Sequence, residues 1–573
     1  MRFVLLLVAA IGTVALVACD SDAPPTTIEP SEVSATASPA TATPEPPDDR
    51  LKVAFDLSRE DERREATASV SERPQLVSVD EAAAADILLS DVPLDQVQPL
   101  VLATWVAITD QRRDVLDLTI NQVRRVMAGA VDDWSQLGGS TLPLTLVVPS
   151  EKQGAIYRAF DTAATTYRTM PLAEVAPYVA STPGALALVP VEALRLGVLA
   201  LTVDGHDPYR DPAKDSPLRL ERWLRLSGRA AAVDFVATMF DGDSSVSVLD
   251  PVGVIVTGEL IPARCTDAAL EEVGDFGAMF DGTRELLLAA DVAVVPLEVA
   301  LTDLSPPTPC TPTFVLQGRA EVVDAIAEAG IDMMLVAGNH AMDCWNGCSG
   351  VQALFDTLDR FDRAAVAHTG GAANIEDART ATVVERDGVR FAFLAYDSIA
   401  PWYAATGGSP GTAPIDLTTL AEDVAAAAAR ADFVVVGFGW GVEYTADPIA
   451  FQREAAAIAV AAGASLIVGN HPHWVQAVEA FSDATIGDAL VAYSLGNFVF
   501  DQSWSVPTTQ GMVLEAGFAN EQLIGYRLRP IVIRGNPELT RGLYRPEFVD
   551  PASEGAPILG RVWDASDRLP ARD

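Results

Sequence analysis

Residues 465–476 read "SLIVGNHPHWVQ", an apolar run that leads through a Gly-Asn pair to two histidines one residue apart. A short apolar run bounded by turn-forming residues predicts a buried β-strand. The polar residues after it would then lie at the carboxyl end of that strand, where α/β proteins build their sites. The chain has 573 residues and only five histidines, so His471 and His473 mark a candidate site.

Six further apolar runs share this strand-like character. They are "VGVIVT" (252–257), "DVAVV" (291–295), "DMMLV" (332–336), "FAFLAY" (391–396), "FVVVGF" (433–438) and "LVAYSL" (490–495). Helical patterns such as "RAEVVDAIAEAG" (319–330) and "LTTLAEDVAAAAARA" (417–431) lie between them. This alternation predicts an α/β sandwich in which helices cover the sheets.

Polar motifs follow several of these runs directly. Glu259 follows the first run, Glu298 the second, and "GNHAMD" (338–343) the third. Two carboxylates, an Asn-His pair and a His-x-His pair form the ligand list of a dinuclear hydrolase, and they suit Mn, Fe or Zn. Side chains one residue apart on an extended strand diverge. A bend must therefore break the alternation for both histidines to bind one centre, and Pro472 between them is consistent with such a bend.

Residues 252 to about 565 resemble the CapA/PgsA family, poly-γ-glutamate capsule synthesis proteins with a metallophosphatase-like fold. Family motifs that read roughly "GDvmlgR", "NLE", "NNHa.D.G", "HWG.EY", "HPH..Q" and "YSLGNF.FD" correspond, in the same order, to six motifs here. These are "GELIPAR", "PLE", "GNHAMDCWNG", "GWGVEY", "HPHWVQ" and "YSLGNFVFD". The resemblance implies a divalent metal centre with His340, as general acid, and Asp343 as catalytic residues. The implied metal ligands are Glu259, Glu298, Asn339, His471 and His473.

Three positions depart from the family pattern. Glu259 replaces an aspartate, Pro296 replaces the asparagine of "NLE", and Gly439 stands where "HWG.EY" has a histidine. Glycine has no side chain that can bind a metal. A centre without this imidazole could hold two ions, hold one, or have lost metal altogether.

The N-terminal part of the chain resembles a different family. "LDLTINQVRRVMAGAVDDWSQLGG" (116–139) and "STPGALALVPVEAL" (181–194) are similar to segments of phosphate-type periplasmic substrate-binding proteins. The Ser/Gly loop with which that family cradles an anion is replaced by "SEKQGAIYRAF" (150–160). We therefore predict a binding-protein-like α/β domain over residues 51–245 with an altered or lost ligand pocket. Residues 246–573 would form the metallophosphatase-like domain.

The first 50 residues have the pattern of an exported lipoprotein. Residues 1–19 combine a basic residue, an apolar run and the sequence "LVAC", which resembles a lipobox ending at Cys19. Residues 20–50 are rich in Pro, Thr, Ser and Ala and predict an extended linker. We expect lipid modification of Cys19 and anchoring on the extracytoplasmic face of the cell membrane. An ordinary signal peptide or a short membrane anchor is the alternative.

Charge and cysteine usage narrow the function further. The net charge is −40 and no basic stripe is visible, which argues against nucleic-acid binding.

In an oxidising compartment the remaining cysteines are candidates for disulfides, and we predict the pairs Cys265–Cys310 and Cys344–Cys348. A structural metal site at Cys344 and Cys348 is the alternative.

Three functions compete on these grounds. The first is a membrane-tethered surface protein that acts in the synthesis or export of an anionic envelope polymer, poly-γ-glutamate by family analogy. Its partners would be that polymer or the machinery that makes it. The second is an active metal-dependent phosphoesterase or amide hydrolase. The third is a non-catalytic binding or scaffold protein in which both sites have degenerated.

Overall fold

Strand-forming segments account for most of the regular structure in this computed structural model. The structure describes residues 51–57, 64, 67, 76–78, 87–90, 99–153, 156, 160, 167–226, 249–304, 310, 313–345, 347–483, 487–535 and 543–571. The predicted signal peptide, Cys19 and the linker lie outside these residues. Within the described ranges, no helix is both long and apolar enough to cross a bilayer.

The N-terminal part contains eleven of the described strands, nine of them in one mixed sheet. The strands are β1 (Leu51–Asp56), β2 (Leu76–Ser78), β3 (Ile87–Ser90), β4 (Pro99–Asp110), β5 (Asp117–Leu118), β6 (Thr145–Pro149), β7 (Arg168–Met170), β8 (Ala185–Pro190), β9 (Val198–Ala200), β10 (Thr202–Val203) and β11 (Arg219–Leu226). The sheet order is β2-β1-β3-β11-β4-β8-β6-β7, with β9 also paired to β4, while β5 and β10 pair separately.

The described residues of this part include two helices with defined bounds. They are α1 (Ile120–Met127) and α2 (Leu172–Ser181). The α1 helix begins with a capping box: Gln122 N donates to Thr119 Oγ1 at 3.2 Å, and Thr119 N donates to Gln122 Oε1 at 2.7 Å. This reciprocal pair satisfies two backbone N–H groups near the helix start. The motif "LTINQ" therefore specifies where α1 begins.

The C-terminal part carries two larger sheets and several two-stranded ones. Its strands are β12 (Val252–Val256), β13 (Glu259–Leu260), β14 (Val292–Pro296), β15 (Ala300–Thr302), β16 (Gln317–Arg319), β17 (Met333–Leu335), β18 (Ala367–Thr369), β19 (Gly371–Ala372), β20 (Thr382–Arg386), β21 (Val389–Asp397), β22 (Gly411–Thr412), β23 (Phe433–Gly439), β24 (Leu466–Asn470), β25 (Val478–Asp483), β26 (Gly487–Ala492), β27 (Asn497–Val499), β28 (Gln510–Ala519), β29 (Gln522–Arg534) and β30 (Arg545–Phe548). One sheet has the order β18-β17-β14-β12-β28-β29-β30, and the other β20-β21-β23-β24-β26-β25.

Helices pack around these two sheets, most of them on the outer faces and α10 against the core between the sheets. They are α3 (Cys265–Val273), α4 (Arg284–Ala289), α5 (Val322–Glu328), α6 (Gly350–Ala364), α7 (Ile375–Ala378), α8 (Leu417–Ala428), α9 (Ala450–Ala461) and α10 (Ala556–Asp567). The side chain of Asp416 accepts a hydrogen bond from Thr418 N at 2.8 Å and caps α8. The helix therefore begins at the residue after an aspartate, as its sequence predicts.

Alternation along the strands explains why the two sheets stack. In β21, Phe391 and Phe393 lie in the core between the sheets, whereas Leu394 and Tyr396 face the core beneath α8 and α9. In β12, Val254 faces the inter-sheet core. Successive strand residues point to opposite faces, so both faces of each sheet are apolar and each needs a covering layer. The result is a helix–sheet–sheet–helix sandwich, and the predicted α/β class is confirmed.

The N-terminal and C-terminal parts meet around a buried arginine. Arg527 on β29 has no exposed surface and donates to Asp207 Oδ2 at 2.9 Å and to Glu515 Oε2 at 2.7 Å. It also donates to the carbonyl of Ala200 at 2.8 Å. Burial alone would raise the pKa of Asp207, but Arg527 outweighs it and lowers that pKa to about 2. The boundary predicted near residue 245 stays a prediction, because residues 227–248 lie outside the described residues.

Candidate metal centre

The carboxyl ends of strands from both sheets meet at one edge of the sandwich. Glu259 follows β12, Glu298 follows β14, and Asn339 lies shortly after β17. In the other sheet, His471 follows β24. The short parallel pair β13–β27 joins this edge and aligns Glu259 with Asn497. Residues that are far apart in the sequence thus converge because parallel strands end together.

A bend in the backbone brings His471 and His473 to the same side. Both residues adopt left-handed backbone conformations, with φ of 90° and 57° respectively. Such conformations cost non-glycine residues about 1–3 kcal/mol each and often occur at functional sites. The two ring centroids lie 6.0 Å apart. The strand alternation is broken at the His-Pro-His segment, as the sequence required for both imidazoles to reach one centre.

Glu259, Glu298 and His473 form the centre of the cluster. One ligand atom from each lies within 4.8 Å of those of the other two, and all three side chains are buried. His473 Nδ1 lies 2.5 Å from Glu259 Oε2 and 2.9 Å from Asn497 Oδ1. The other oxygen of Glu259 accepts a hydrogen bond from His471 N at 2.5 Å. These contacts fix the orientation of Glu259 and His473.

Burial and mutual interaction shift the protonation of the cluster. Burial raises the pKa of Glu259, and the neighbouring Glu298 raises it further against the opposing effect of His473. Burial would also raise the pKa of Glu298, but the imidazoles of His471 and His473 outweigh it and lower that pKa to about 2. For His473, burial is outweighed by Glu259, and its pKa rises to about 9. Without a metal ion, protonated imidazole therefore balances buried carboxylate charge.

Several buried polar atoms in and beside the cluster lack a hydrogen-bond partner among the described residues. They are both carboxylate oxygens of Glu298, Nδ1 of His471, Oδ1 of Asn339 and Oδ1 of Asp397. His471 Nδ1 lies 3.6 Å from Glu298 Oε1, too far for a hydrogen bond. A buried polar atom without a partner costs about 1–3 kcal/mol. Oxygen and imidazole donors of this kind fit a divalent cation such as Mn, Fe or Zn.

His340 and Asp343 form a hydrogen-bonded pair beside the cluster. His340 Nδ1 lies 2.6 Å from Asp343 Oδ2. Asp343 is itself fixed, because it accepts hydrogen bonds from Leu316 N at 2.6 Å and from the Tyr403 hydroxyl at 3.0 Å. The carboxylate sets the ring orientation of His340, and Nε2 is the nitrogen that can face a substrate. An imidazole oriented in this way can donate a proton to a leaving group.

The structure thus brings the predicted site residues to one edge, although their roles as ligands and catalysts stay predictions. The other two histidines lie elsewhere: His206 contacts the carbonyl of Pro212, and His368 contacts Asp362. Sequence analysis did not single out Asn497 or Asp397. Each follows or ends an apolar run, so the signal that identified Glu298 was present for both residues.

The cysteines are placed as two pairs. The Cα atoms of Cys265 and Cys310 lie 4.1 Å apart, and those of Cys344 and Cys348 lie 5.6 Å apart. The two pairs are those that the sequence predicted. Whether the isolated protein is oxidised at both pairs stays a prediction, tested below.

A sheet sandwich with carboxylates, an amide and imidazoles at its strand ends is the arrangement expected of the predicted metallophosphatase-like domain. Residues 253–502 match the sequence model of the family described as bacterial capsule synthesis protein PGA_cap. The match confirms the CapA/PgsA resemblance of this region of the chain.

Two relatives show how far this similarity extends. The chain is 30% identical over 258 residues to the "PGA biosynthesis protein CapA" of Bacillus subtilis, a match that covers 45% of this chain and 65% of the relative. It is 33% identical over 195 residues to the "Capsule biosynthesis protein CapA" of Bacillus anthracis, covering 33% of this chain and 45% of the relative. The chain therefore spans less than two thirds of either relative.

Solved structures show weaker similarity. An ABC-type phosphate transport receptor from Vibrio cholerae is 16% identical with a TM-score of 0.23, covering 33% of this chain and 93% of the receptor. A 5'-nucleotidase precursor from Thermus thermophilus is 16% identical with a TM-score of 0.30, covering 49% of this chain and 54% of the precursor.

Proposed function

We propose that this chain is a cell-surface protein that acts in the synthesis or export of an anionic envelope polymer, with poly-γ-glutamate as the first candidate. One observation carries the proposal: the buried cluster of Glu259, Glu298 and His473 lies within the segment that matches the capsule synthesis family. Buried carboxylates and imidazoles without full hydrogen bonding indicate a retained metal centre. A purely structural remnant has no need of them.

The proposed reaction is hydrolysis of an amide bond within or at the end of the polymer. Divalent cations in such a centre supply Lewis-acid activation of water and of a carbonyl oxygen. Water adds to the carbonyl carbon, the C–N bond breaks, and His340 donates a proton to the departing nitrogen. Asp343 holds His340 in position throughout. The products are a carboxylate and an amine, and no oxidant or reductant is needed.

Charge and location impose conditions on this function. With a net charge of −40, the protein repels a polyanion at long range unless cations intervene. Cations held by Glu259 and Glu298 would offset that repulsion where the polymer is bound. Lipid modification of Cys19 would hold the domain on the extracytoplasmic face of the membrane, close to the polymer and the machinery that exports it.

The direct test uses the purified chain, Mn²⁺ and poly-γ-glutamate. Polymer length is followed by size-exclusion chromatography, and new amine ends are counted by a fluorogenic reagent. We expect shortening that is abolished by His473→Ala and by a chelator, and strongly slowed by His340→Gln. His368→Gln is the matched control because His368 lies outside the cluster, and it should retain full activity.

Other outcomes separate the competing functions. Hydrolysis of bis(p-nitrophenyl) phosphate with intact poly-γ-glutamate would favour a phosphoesterase. Absence of bound metal after growth in metal-replete medium, together with no hydrolysis of either substrate, would favour a non-catalytic surface protein. In the bacterium that encodes the chain, deletion of its gene should lengthen the surface-associated glutamate polymer, and the intact gene should restore its normal length.

A further inference from the structure

Asp397 is a buried carboxylate beside the cluster. It ends strand β21 and is 4% exposed. Its Oδ2 accepts a hydrogen bond from Ala400 N at 2.8 Å, whereas Oδ1 contacts no donor in the described part of the chain. The hydrogen bond from Ala400 N accounts for the position of Oδ2 but not for that of Oδ1. The orientation of the second oxygen therefore needs another reason.

Gly439 provides the space that this oxygen occupies. The two residues are paired across the parallel strands β21 and β23. A Cβ atom added to Gly439 would lie 2.8 Å from Asp397 Oδ1, closer than real Cβ atoms approach a neighbour. Any side chain at position 439 would therefore displace this carboxylate oxygen. Position 439 is also where the family pattern has its histidine, so the carboxylate at 397 lies where that side chain would begin.

The same geometry places Asp397 next to the cluster. A Cβ atom added to Gly439 would lie 3.3 Å from the carbonyl oxygen of Ala337. Gly338 follows Ala337 in the chain, and a Cβ atom added to Gly338 would lie 3.6 Å from Glu298 Cγ. On its other side, Gly439 is paired with Asn470, the residue before His471. Gly439 and Gly338 thus contribute no side chain of their own between Asp397 and the residues Glu298 and His471.

We propose that Asp397 is a metal ligand that replaces the imidazole missing at position 439. The inference deepens the proposed function and rests on its metal centre. The centre then keeps enough ligands for two cations in spite of Gly439. Carboxylate oxygen is a harder ligand than imidazole, so the exchange shifts preference toward Mn²⁺ and away from Zn²⁺ at that position.

Metal counting tests this assignment without reference to activity. The purified chain is stripped with a chelator, loaded with Mn²⁺ and measured by plasma mass spectrometry, and Mn–Mn coupling is followed by electron paramagnetic resonance. We expect two equivalents and a coupled signal. Asp397→Asn should retain one equivalent, lose the coupling and bind the second ion at least 10- to 100-fold more weakly. Asp423→Asn, which alters a carboxylate bonded to Arg379 on the outer side of the sheet, should behave as wild type.

Each outcome decides one question. Two equivalents in both wild type and Asp397→Asn would overturn the inference and leave the proposed metal centre standing. No metal in the wild type would instead overturn the metal centre itself. If Asp397→Asn does not fold, Gly439→Ala replaces it, because its methyl group displaces the carboxylate without removing it. That variant should also lose the second equivalent, and retention of both ions would contradict the proposal.

Discussion

His473 Nδ1 lies within hydrogen-bonding distance of Glu259 Oε2 and of Asn497 Oδ1, at 2.5 and 2.9 Å. Three segments of the chain meet at this nitrogen, and each follows a different strand of the sandwich. Asn497 is held in turn by donating to the carbonyl of Thr508 at 2.9 Å. The contact couples the folding of both sheets to the geometry of the candidate metal centre.

Removal of His473 should abolish metal binding, and because it leaves the buried Glu259 without its imidazole partner it should also lower stability in the absence of metal. We expect His473→Ala to lose bound Mn²⁺ in equilibrium dialysis, whereas His368→Ala retains it. Because a ligand that binds only the folded state stabilises it, 100-fold excess over the dissociation constant should add about 2.7 kcal/mol to wild-type stability. Metal-dependent thermal stabilisation of the His473→Ala variant equal to that of wild type would contradict the assignment.

Loss of His340 should affect turnover far more than binding. Positioned proton transfer typically contributes 10²- to 10⁴-fold in rate, so we expect His340→Gln to lower kcat by about that factor with an unchanged metal content. Asp343→Asn should lower kcat less and alter the pH–rate profile, because it changes the hydrogen bond that orients the imidazole. If His340→Gln loses metal as well, His340 is a ligand and its assignment as an acid is wrong.

The buried Asp207–Arg527 pair predicts a pH-dependent contribution to stability. The folded pKa of Asp207 is about 2, below its usual value of 3.8, so its stabilisation is present above pH 4 and is lost as pH falls toward 2. The shift corresponds to about 2 kcal/mol at neutral pH. Asp207→Asn should lower the free energy of unfolding at pH 7, and the difference from wild type should shrink below pH 4.

A second ion pair between the same two parts of the chain supplies the control for that measurement. Arg112 Nη1 donates to Asp567 Oδ2 at 2.9 Å, and both side chains are about half exposed. Solvent screens an exposed ion pair, so Asp567→Asn should change stability little at any pH. Equal effects of the two substitutions would contradict a special role for burial at Arg527.

The cysteine pairs predict an absence of free thiols in protein exported to an oxidising compartment. Cys265 and Cys310 are separated by 45 residues in the sequence, Cys344 and Cys348 by four. A longer closed loop restricts the unfolded chain more, so losing the first bond should cost about 3–4 kcal/mol. Losing the second should cost less. Alkylation and mass spectrometry test both pairs, and loss of bound metal in Cys344→Ala/Cys348→Ala would favour the alternative cysteine metal site.

The sequence by itself determined the α/β class, because apolar runs alternate with amphipathic segments at a spacing that only covered sheets satisfy. It also determined most of the candidate site, since Glu259, Glu298 and the GNH motifs each follow such a run. For His471 and His473 the sequence implied a bend but did not specify their left-handed backbone conformations. Their angles depend on how the segment packs against Glu259.

The tertiary structure alone decided what Asp397 and Arg527 do. The significance of Asp397 depends on a strand pairing that places it opposite Gly439, a residue 42 positions away, and no local pattern specifies that register. In the sequence, nothing distinguishes Arg527 from other charged strand residues. Its buried partner Asp207 is far away in the sequence and is known only from the packing of the two segments. Hydrophobic periodicity fixes which face of a strand is buried, whereas the partner of a buried charge is fixed only when distant segments pack together.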